Sequence, residues 1–259
     1  MNLPQHLRTR TLAVGRESGS WFDGRVGAVG EEELPPAIPA ATVVLLRDGV
    51  NGVETLMLRR DSKLAFAGGA WVFPGGRIDP EDYPGGVVSD DPEAVHAAAR
   101  TAAAREALEE AGLVVDPESL VWFSHWTPGA VPARRFATWF FMTTAPEGQV
   151  VVDDGEIREH QWIRPADAIT RRELGEIELI PPTWVTLHTL AEAQSTEAAC
   201  AAAREREPQI YLTHIARVDG GVASIWAGDV AYDDLDTEKP GPRNRLLMLE
   251  SGWRLETSS

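Results

Sequence analysis

REALEEAGL, residues 105–113, sets three carboxylates, Glu106, Glu109 and Glu110, within five positions just before a glycine. On an α-helix, positions i, i+3 and i+4 share a face, so the three would project from one turn. Like charges in that arrangement cost ~0.2–0.5 kcal/mol per pair in an isolated helix. The turn is therefore either a solvated face, with Arg105 four residues before Glu109 as its salt-bridge partner, or a seat for a cation. The residues before it settle the local structure. In DDPEAVHAAARTAAAREALEEAG (90–112), Asp91 is an N-cap and Pro92 takes the first helical position, where its missing N–H costs nothing. Alanine, the strongest intrinsic helix former, fills the middle. Gly112 stands where a helix end needs a positive φ. The pattern predicts a helix over 92–111.

On either side the pattern is mixed. ATVVLLR (41–47) and VETLMLR (53–59) are apolar, β-branched runs around the turn residues 48–52, and read as a hairpin. AWVFPGG (70–76) reads as a short strand entering a Gly-Gly turn. Strands are expected at 120–126, 135–144, 150–153 and 159–164, and helices at 165–174, 181–194 and 196–207. A few more strands follow at 209–218, 222–228 and 245–250, with 233–244 as a mobile loop. The segments do not alternate strictly as βαβ, so the class is α+β. Residues 1–37 read as an N-terminal arm, 38–195 as the main domain and 196–259 as a C-terminal helical and β extension packed on it.

Acidic residues outnumber basic ones by 40 to 24 in 259 residues, for a net charge of −16. A field of that sign repels nucleic acid and anionic membrane, so neither is expected as a partner. A phosphorylated small molecule would need a cation to mediate, which suits the carboxylate turn. The single cysteine, Cys200, excludes an internal disulfide framework and a cysteine-based zinc site. No run is long and apolar enough for a membrane span, and the N-terminus makes a poor secretory signal. A cytoplasmic protein is the expectation, and a homodimer is compatible with all of this.

Together, FPGGRIDPED (73–82) and REALEEAGL resemble the signature of the Nudix hydrolases, G-x5-E-x7-R-E-U-x-E-E-x-G-U, where U is bulky and aliphatic. Gly76 matches the opening glycine. Asp82 stands where the family has Glu, and Ala107 where a bulkier residue is usual. Arg105-Glu106, Glu109-Glu110 and Gly112-Leu113 match the rest. Residues 83–104 replace the usual seven, so about 15 residues (about 83–97) are inserted in the box 76–113. This separation puts Asp82 in doubt as a site residue. The insertion is similar to that of the subgroup typified by the peroxisomal coenzyme A diphosphatase. RRDSKLAFAGGAWVFPGGRIDPED (59–82) also resembles the coenzyme A signature at Arg60, Gly69, Phe73, Pro74, Gly75, Gly76, Asp79 and Asp82, with Asp61 and Ala65 as departures.

The resemblance implies a Nudix α/β/α sandwich with a mixed central sheet. It also implies Mg²⁺ or Mn²⁺ held by Glu106, Glu109 and Glu110, and hydrolysis of a nucleoside diphosphate linked to another moiety. Coenzyme A or an acyl-CoA is the first expectation; a nucleotide sugar, dinucleotide or oxidised nucleotide is the alternative. A non-catalytic nucleotide-binding regulator fits less well, because all three box glutamates are present. Arg105 is expected to orient a glutamate. The base is open among Glu109, Glu110, Glu156 and Glu159, the last two from the loop around 155–162. Arg60, Gly75, Gly76, Arg134 and Arg135 are the expected substrate contacts. His125 and His160 are expected to be structural. So are most of Trp71, Trp122, Trp126, Trp139 and Trp162, with one of them open to stack on an adenine.

Overall fold

The computed structural model describes residues 36–63, 67–129, 135–152 and 155–258. The chain divides into two compact units. The first comprises Ala37–Thr127 and Phe136–Tyr211. Its hairpin is β1 (Ile38–Gly49) and β2 (Gly52–Arg60), in register from Leu46 opposite Thr55 to Gly49 opposite Gly52. Both strands run longer than the apolar pattern suggests, and only Val50 and Asn51 turn between them. The stretch 70–76 forms two short strands with different partners. They are β3 (Trp71–Val72) on β2 and β4 (Gly75–Arg77) on β1.

After β4 come α1 (Pro92–Ala111), β5 (Val121–Thr127), β6 (Phe136–Thr144) and β7 (Ile157–Ile163). Helices α2 (Pro165–Glu173), α3 (Pro181–Leu190) and α4 (Thr196–Arg204) then lead to β8 (Gln209–Leu212). The eight strands form one sheet in the order β3-β2-β1-β6-β5-β8, with β4 also on β1 and β7 also on β2. β1 and β6 are parallel and the hairpin is antiparallel, so the sheet is mixed. Residues 150–152, expected in a strand, have no ladder partner and lie outside the sheet. Asp48 accepts from the backbone and hydroxyl of Thr196, which ties the start of α4 to the hairpin's end.

α1 carries its expected caps. Asp91 accepts from the N–H groups of Glu93 and Ala94, and Gly112 has φ +69°. Ala98, Ala99, Ala102, Ala103, Ala107 and Ala111 are all fully buried against Ala41, Val43, Leu45, Leu56, Leu58 and Phe141 of the sheet. A stripe of alanines gives little apolar area per residue but lets the helix lie close to the sheet. The last turn's carboxylates are therefore held at a fixed height over β4.

The second unit contains Leu212–Ser259 and Pro128–Arg135, of which 130–134 and 259 lie outside the described residues. It is an antiparallel meander, β9 (His214–Val218), β10 (Gly221–Ile225), β11 (Asn244–Leu249) and β12 (Gly252–Thr257), in the order β12-β11-β10-β9. β12 carries only a short alternation, Trp253-Arg254-Leu255-Glu256, and is not among the expected strands. The stretch 233–244, expected as a mobile loop, is tied down at several points. Val230 N–H donates to the Pro242 carbonyl, Arg245 to the Thr237 carbonyl, and Lys239 pairs with Asp234.

At its base the Asp229 carboxylate is buried against Arg245, taking Nε–H at 2.7 Å, a second guanidinium N–H, and the backbone N–H groups of Ala231 and Asn244. Burial alone would raise its pKa. Arg245 and the two backbone donors outweigh that and hold it at about 2. A carboxylate with a depressed pKa stabilises the fold above its unfolded pKa, near 4, and loses that contribution as pH falls toward 2. Asp229→Asn is expected to cost about 3–5 kcal/mol, because it strands a buried guanidinium. Thermal unfolding from pH 7 down to pH 2 should show the gap between wild type and variant narrowing below pH 4.

Candidate active site

The site is built on the contact between the end of α1 and the turn 73–77. Thr42 Oγ1 donates to the Pro74 carbonyl at 2.6 Å, and Val43 N–H donates to the same oxygen at 2.9 Å. This clamps the turn to β1. A Cβ on Gly75 would lie 2.6 Å from the Ala41 carbonyl oxygen, and one on Gly76 would lie 2.2 Å from a Glu106 carboxylate oxygen. Backbone leaves no room for a side chain at Gly75, whereas at Gly76 one would displace the Glu106 carboxylate; neither position has a positive φ.

The three box glutamates share the last turn of α1 but differ in setting. Glu110 is 6% exposed and accepts the Gly75 N–H at 3.0 Å. Burial pushes its pKa up to about 8, and Glu106 and Glu156 add to this against the Gly75 N–H and Arg60. Glu106 is also raised, first by burial, with Arg105 opposing. Glu109 is more than half exposed.

Arg105 joins these groups. Its Nε and Nη2 donate to the two oxygens of Asp82, both at 3.0 Å, and Nη1 donates to Glu106 at 2.9 Å and Glu109 at 3.0 Å. Nη2 also reaches the Arg77 carbonyl at 3.0 Å. Asp82 is 5% exposed and accepts the Asp79 N–H at 2.8 Å. Despite the insertion, Asp82 therefore reaches the box. The extra residues loop out through a 3₁₀ turn at Pro84–Gly86 and return as the first turns of α1. Sequence reasoning doubted Asp82; the FPGGxxDxxD run was the signal that could have kept it.

β2 and β7 bring in a second set. Arg60 Nη2 donates to Glu156 at 2.8 Å, and Nη1 lies 3.8 Å from Glu110. Arg60 Nε is buried with no hydrogen-bond partner among the described residues. A register shift separates Arg59, opposite Glu159, from Arg60, opposite Ile157. Arg158 is the extra residue, and it pairs with the buried Asp61. Glu159 lies opposite Arg59 and bonds it at 2.6 Å. Alternation along β2 puts Arg59 on the face away from Leu58, Arg60 and α1. The structure thus brings Glu156 to the Glu110 turn and Glu159 to the other face.

Arg135 lies in the second unit and donates to the Pro128 carbonyl at 2.8 and 3.1 Å. Arg134 and Ala65 lie outside the described residues. His125 meets the Trp139 ring edge-on, and burial lowers its pKa. Trp122 and Trp139 pack on the helix-side core, and Trp126 stacks on Tyr211 at 3.8 Å.

Carboxylate oxygens are the donors a hard divalent cation takes. The buried Glu110, raised beside Glu106, is a place that favours positive charge. In the geometry shown, Arg105 gathers Glu106 and Glu109, and among the described residues no three His, Cys, Asp or Glu side chains form a ready cage. Removing the buried anchor should loosen this whole cluster. Asp82→Ala is expected to lower stability by about 1.5–3 kcal/mol, the range for a hydrogen-bonded charged group, read as a shift in chemical denaturation midpoint.

Two kinds of comparison bear on the family and the fold. A family model, the NUDIX domain, matches residues 36–182, more than half of the chain. Among solved structures, a NUDIX hydrolase from Alicyclobacillus acidocaldarius is similar at TM-score 0.58 and 24% identity. The match covers 65% of this chain and 97% of that one. The NUDIX domain of Shewanella oneidensis NrtR, solved with ADP ribose, is similar at TM-score 0.45 and 14% identity, over 64% of this chain and 93% of that one. With its box glutamates on one helical turn and the NUDIX model spanning both sides of it, the chain belongs to the Nudix hydrolase family.

Proposed function

We propose that the chain hydrolyses the pyrophosphate bond of a nucleoside diphosphate linked to another moiety, with coenzyme A or an acyl-CoA as the substrate to test first. The carrying observation is the last turn of α1, where Glu106 and the buried Glu110 face the Gly75-Gly76 turn and Arg105 holds Glu109 beside them. Glu106, Glu109 and Glu110 would hold Mg²⁺ or Mn²⁺. Held by these carboxylates, such a cation would supply charge neutralisation for the phosphates and a more acidic water.

The chain's own part is positioning. Arg105, anchored by Asp82, aligns Glu106 and Glu109 and fixes the turn of β4 through the Arg77 carbonyl. Glu109 is exposed enough to swing from Arg105 toward a bound ion. The bare backbone of Gly75 and Gly76 lets a phosphate come close. Glu109 and Glu110, on the turn itself, are the carboxylates assigned to take a proton from the attacking water; Glu159 is engaged by Arg59. The insertion, which starts at Tyr83 directly after the Arg105-bound Asp82, would shape access to the site from there.

The coenzyme A assignment draws on the interrupted box and on Arg60, Gly69 and the FPGGxxDxxD run. Cleavage would yield 3′,5′-ADP and (acyl-)4′-phosphopantetheine. The Asp61–Arg158 pair, which stands where the signature has serine, favours keeping a nucleotide sugar, a dinucleotide or an oxidised nucleotide as the second reading.

A panel of these compounds with Mg²⁺ and with Mn²⁺, products identified by mass, decides between them. Turnover of coenzyme A is expected, and turnover of ADP-ribose or a nucleotide sugar with none of coenzyme A would remove the first assignment. Glu109→Gln or Glu110→Gln should lower kcat by two or more decades, roughly 3 kcal/mol of transition-state stabilisation, with the fold intact. Full activity in both variants, or indifference to EDTA, would sink the assignment of a metal site to this turn.

A further inference from the structure

Arg60 holds an unusual position. Its guanidinium lies beside Glu110, its Nη2 is taken by Glu156 at 2.8 Å, and its Nε–H is buried without an acceptor among the described residues. Leaving a buried charged donor unmet is costly, so the arrangement is incomplete as it stands. Glu156 is pinned at both ends, its carboxylate by Arg60 and its carbonyl by the Asp61 N–H at 2.8 Å. The bulge at Arg158 produces this. Without the extra residue, the segment before Ile157 would enter β7 one position out of step, and Glu156 would lose its place beside Arg60. Yet the Glu156 side chain is 58% exposed while that of Arg60 is only 15% exposed. A solvated carboxylate can leave at small cost; the guanidinium cannot.

We propose that Glu156 is a latch on Arg60: it occupies in the free protein the guanidinium that a phosphate oxygen of the substrate takes, and it is displaced when substrate binds. A phosphate, with several strong acceptor oxygens, can take Nη2 and supply the acceptor that Nε lacks, in the forked geometry arginine favours. The exchange keeps charge paired throughout, one anion leaving as another arrives. It also discriminates, since a ligand without a phosphate there must leave Glu156 in place. This inference rests on the proposed substrate class. It makes Glu156 a positioning residue and gives it no part in the proton transfer.

The test is Glu156→Gln, which keeps the shape and removes the competing charge. Binding of the non-hydrolysable α,β-methylene ADP, measured by calorimetry, should tighten about 3- to 10-fold. In steady state KM should fall by a similar factor, with kcat within about twofold of wild type. In an Arg60→Ala background the same change should have no effect on binding. A fall of two decades in kcat with KM unchanged would make Glu156 the base and overturn the latch. Weaker analogue binding in Glu156→Gln, or equal tightening with and without Arg60, would overturn it as well. Because binding is read apart from turnover, wild type that binds the analogue but hydrolyses nothing in the panel would refute the hydrolase reading alone. No binding by any variant would refute both.

Discussion

The site depends on one guanidinium. Arg105 touches Asp82, the Arg77 carbonyl, Glu106 and Glu109 together. It turns two separate pieces of chain, the turn after β3 and the last turn of α1, into one body. A lysine could not do this. Five donors in a planar fork allow a two-point grip on Asp82 and leave a third nitrogen for the glutamates, which a single ammonium cannot reproduce. Asp82 in turn sits on the Asp79 N–H and is buried, so the anchor is less mobile than the exposed Glu109 it supports. This gradient, rigid at Asp82 and loose at Glu109, suits a turn whose outer ligand must move.

Close approach is the second constraint, and it acts through absent side chains. Alanines along α1 bring the helix onto β1 and β2, and Gly76 leaves room for the Glu106 carboxylate where a methyl group would collide. The apolar gain per alanine is small, but what the stripe sets is distance. Because Glu110 follows three residues after Ala107 and just precedes Ala111, the same stripe that seats the helix carries one carboxylate under the turn. Its raised pKa is thus a consequence of packing, and the like-charge crowding visible in the sequence is the surface sign of it.

How much could be read beforehand follows the range of the interactions. α1 was legible to its caps, since Asp91, Pro92 and Gly112 act within a few residues of themselves. The hairpin and the Glu turn were legible for the same reason. What lay hidden was non-local. Asp82 meets Arg105 across 23 positions, and nothing in the local pattern shows that the insertion loops out and leaves the partners adjacent. Glu156 and Glu159, equivalent in sequence, meet different arginines, Arg60 and Arg59, on either side of a register shift. Residues 150–152 have strand-like composition but no strand partner among the described residues, while the short alternation Trp253-Arg254-Leu255-Glu256 is a strand because β11 lies beside it. In both cases the partner strand decided, and periodicity could not report it.

The bulge also explains why Asp61 can depart from the coenzyme A signature without harm to the fold. A carboxylate buried at the end of β2 would be costly alone. Lys63 N–H and the out-of-step Arg158 both donate to it and keep its pKa below the ordinary carboxylate value. The same bulge supplies Arg158 to Asp61 and sets Glu156 against Arg60, so a single extra residue in β7 balances two charges on β2 at once. In a chain of net charge −16, the cations nearest the box, Arg60 and Arg105, are thus each already paired with carboxylates. An anionic substrate cannot simply add to such a site; it must exchange for a carboxylate or arrive with a metal. Selectivity can then arise from competition among anions, with Glu110 fixed by burial and Glu109 and Glu156, both largely exposed, left to yield.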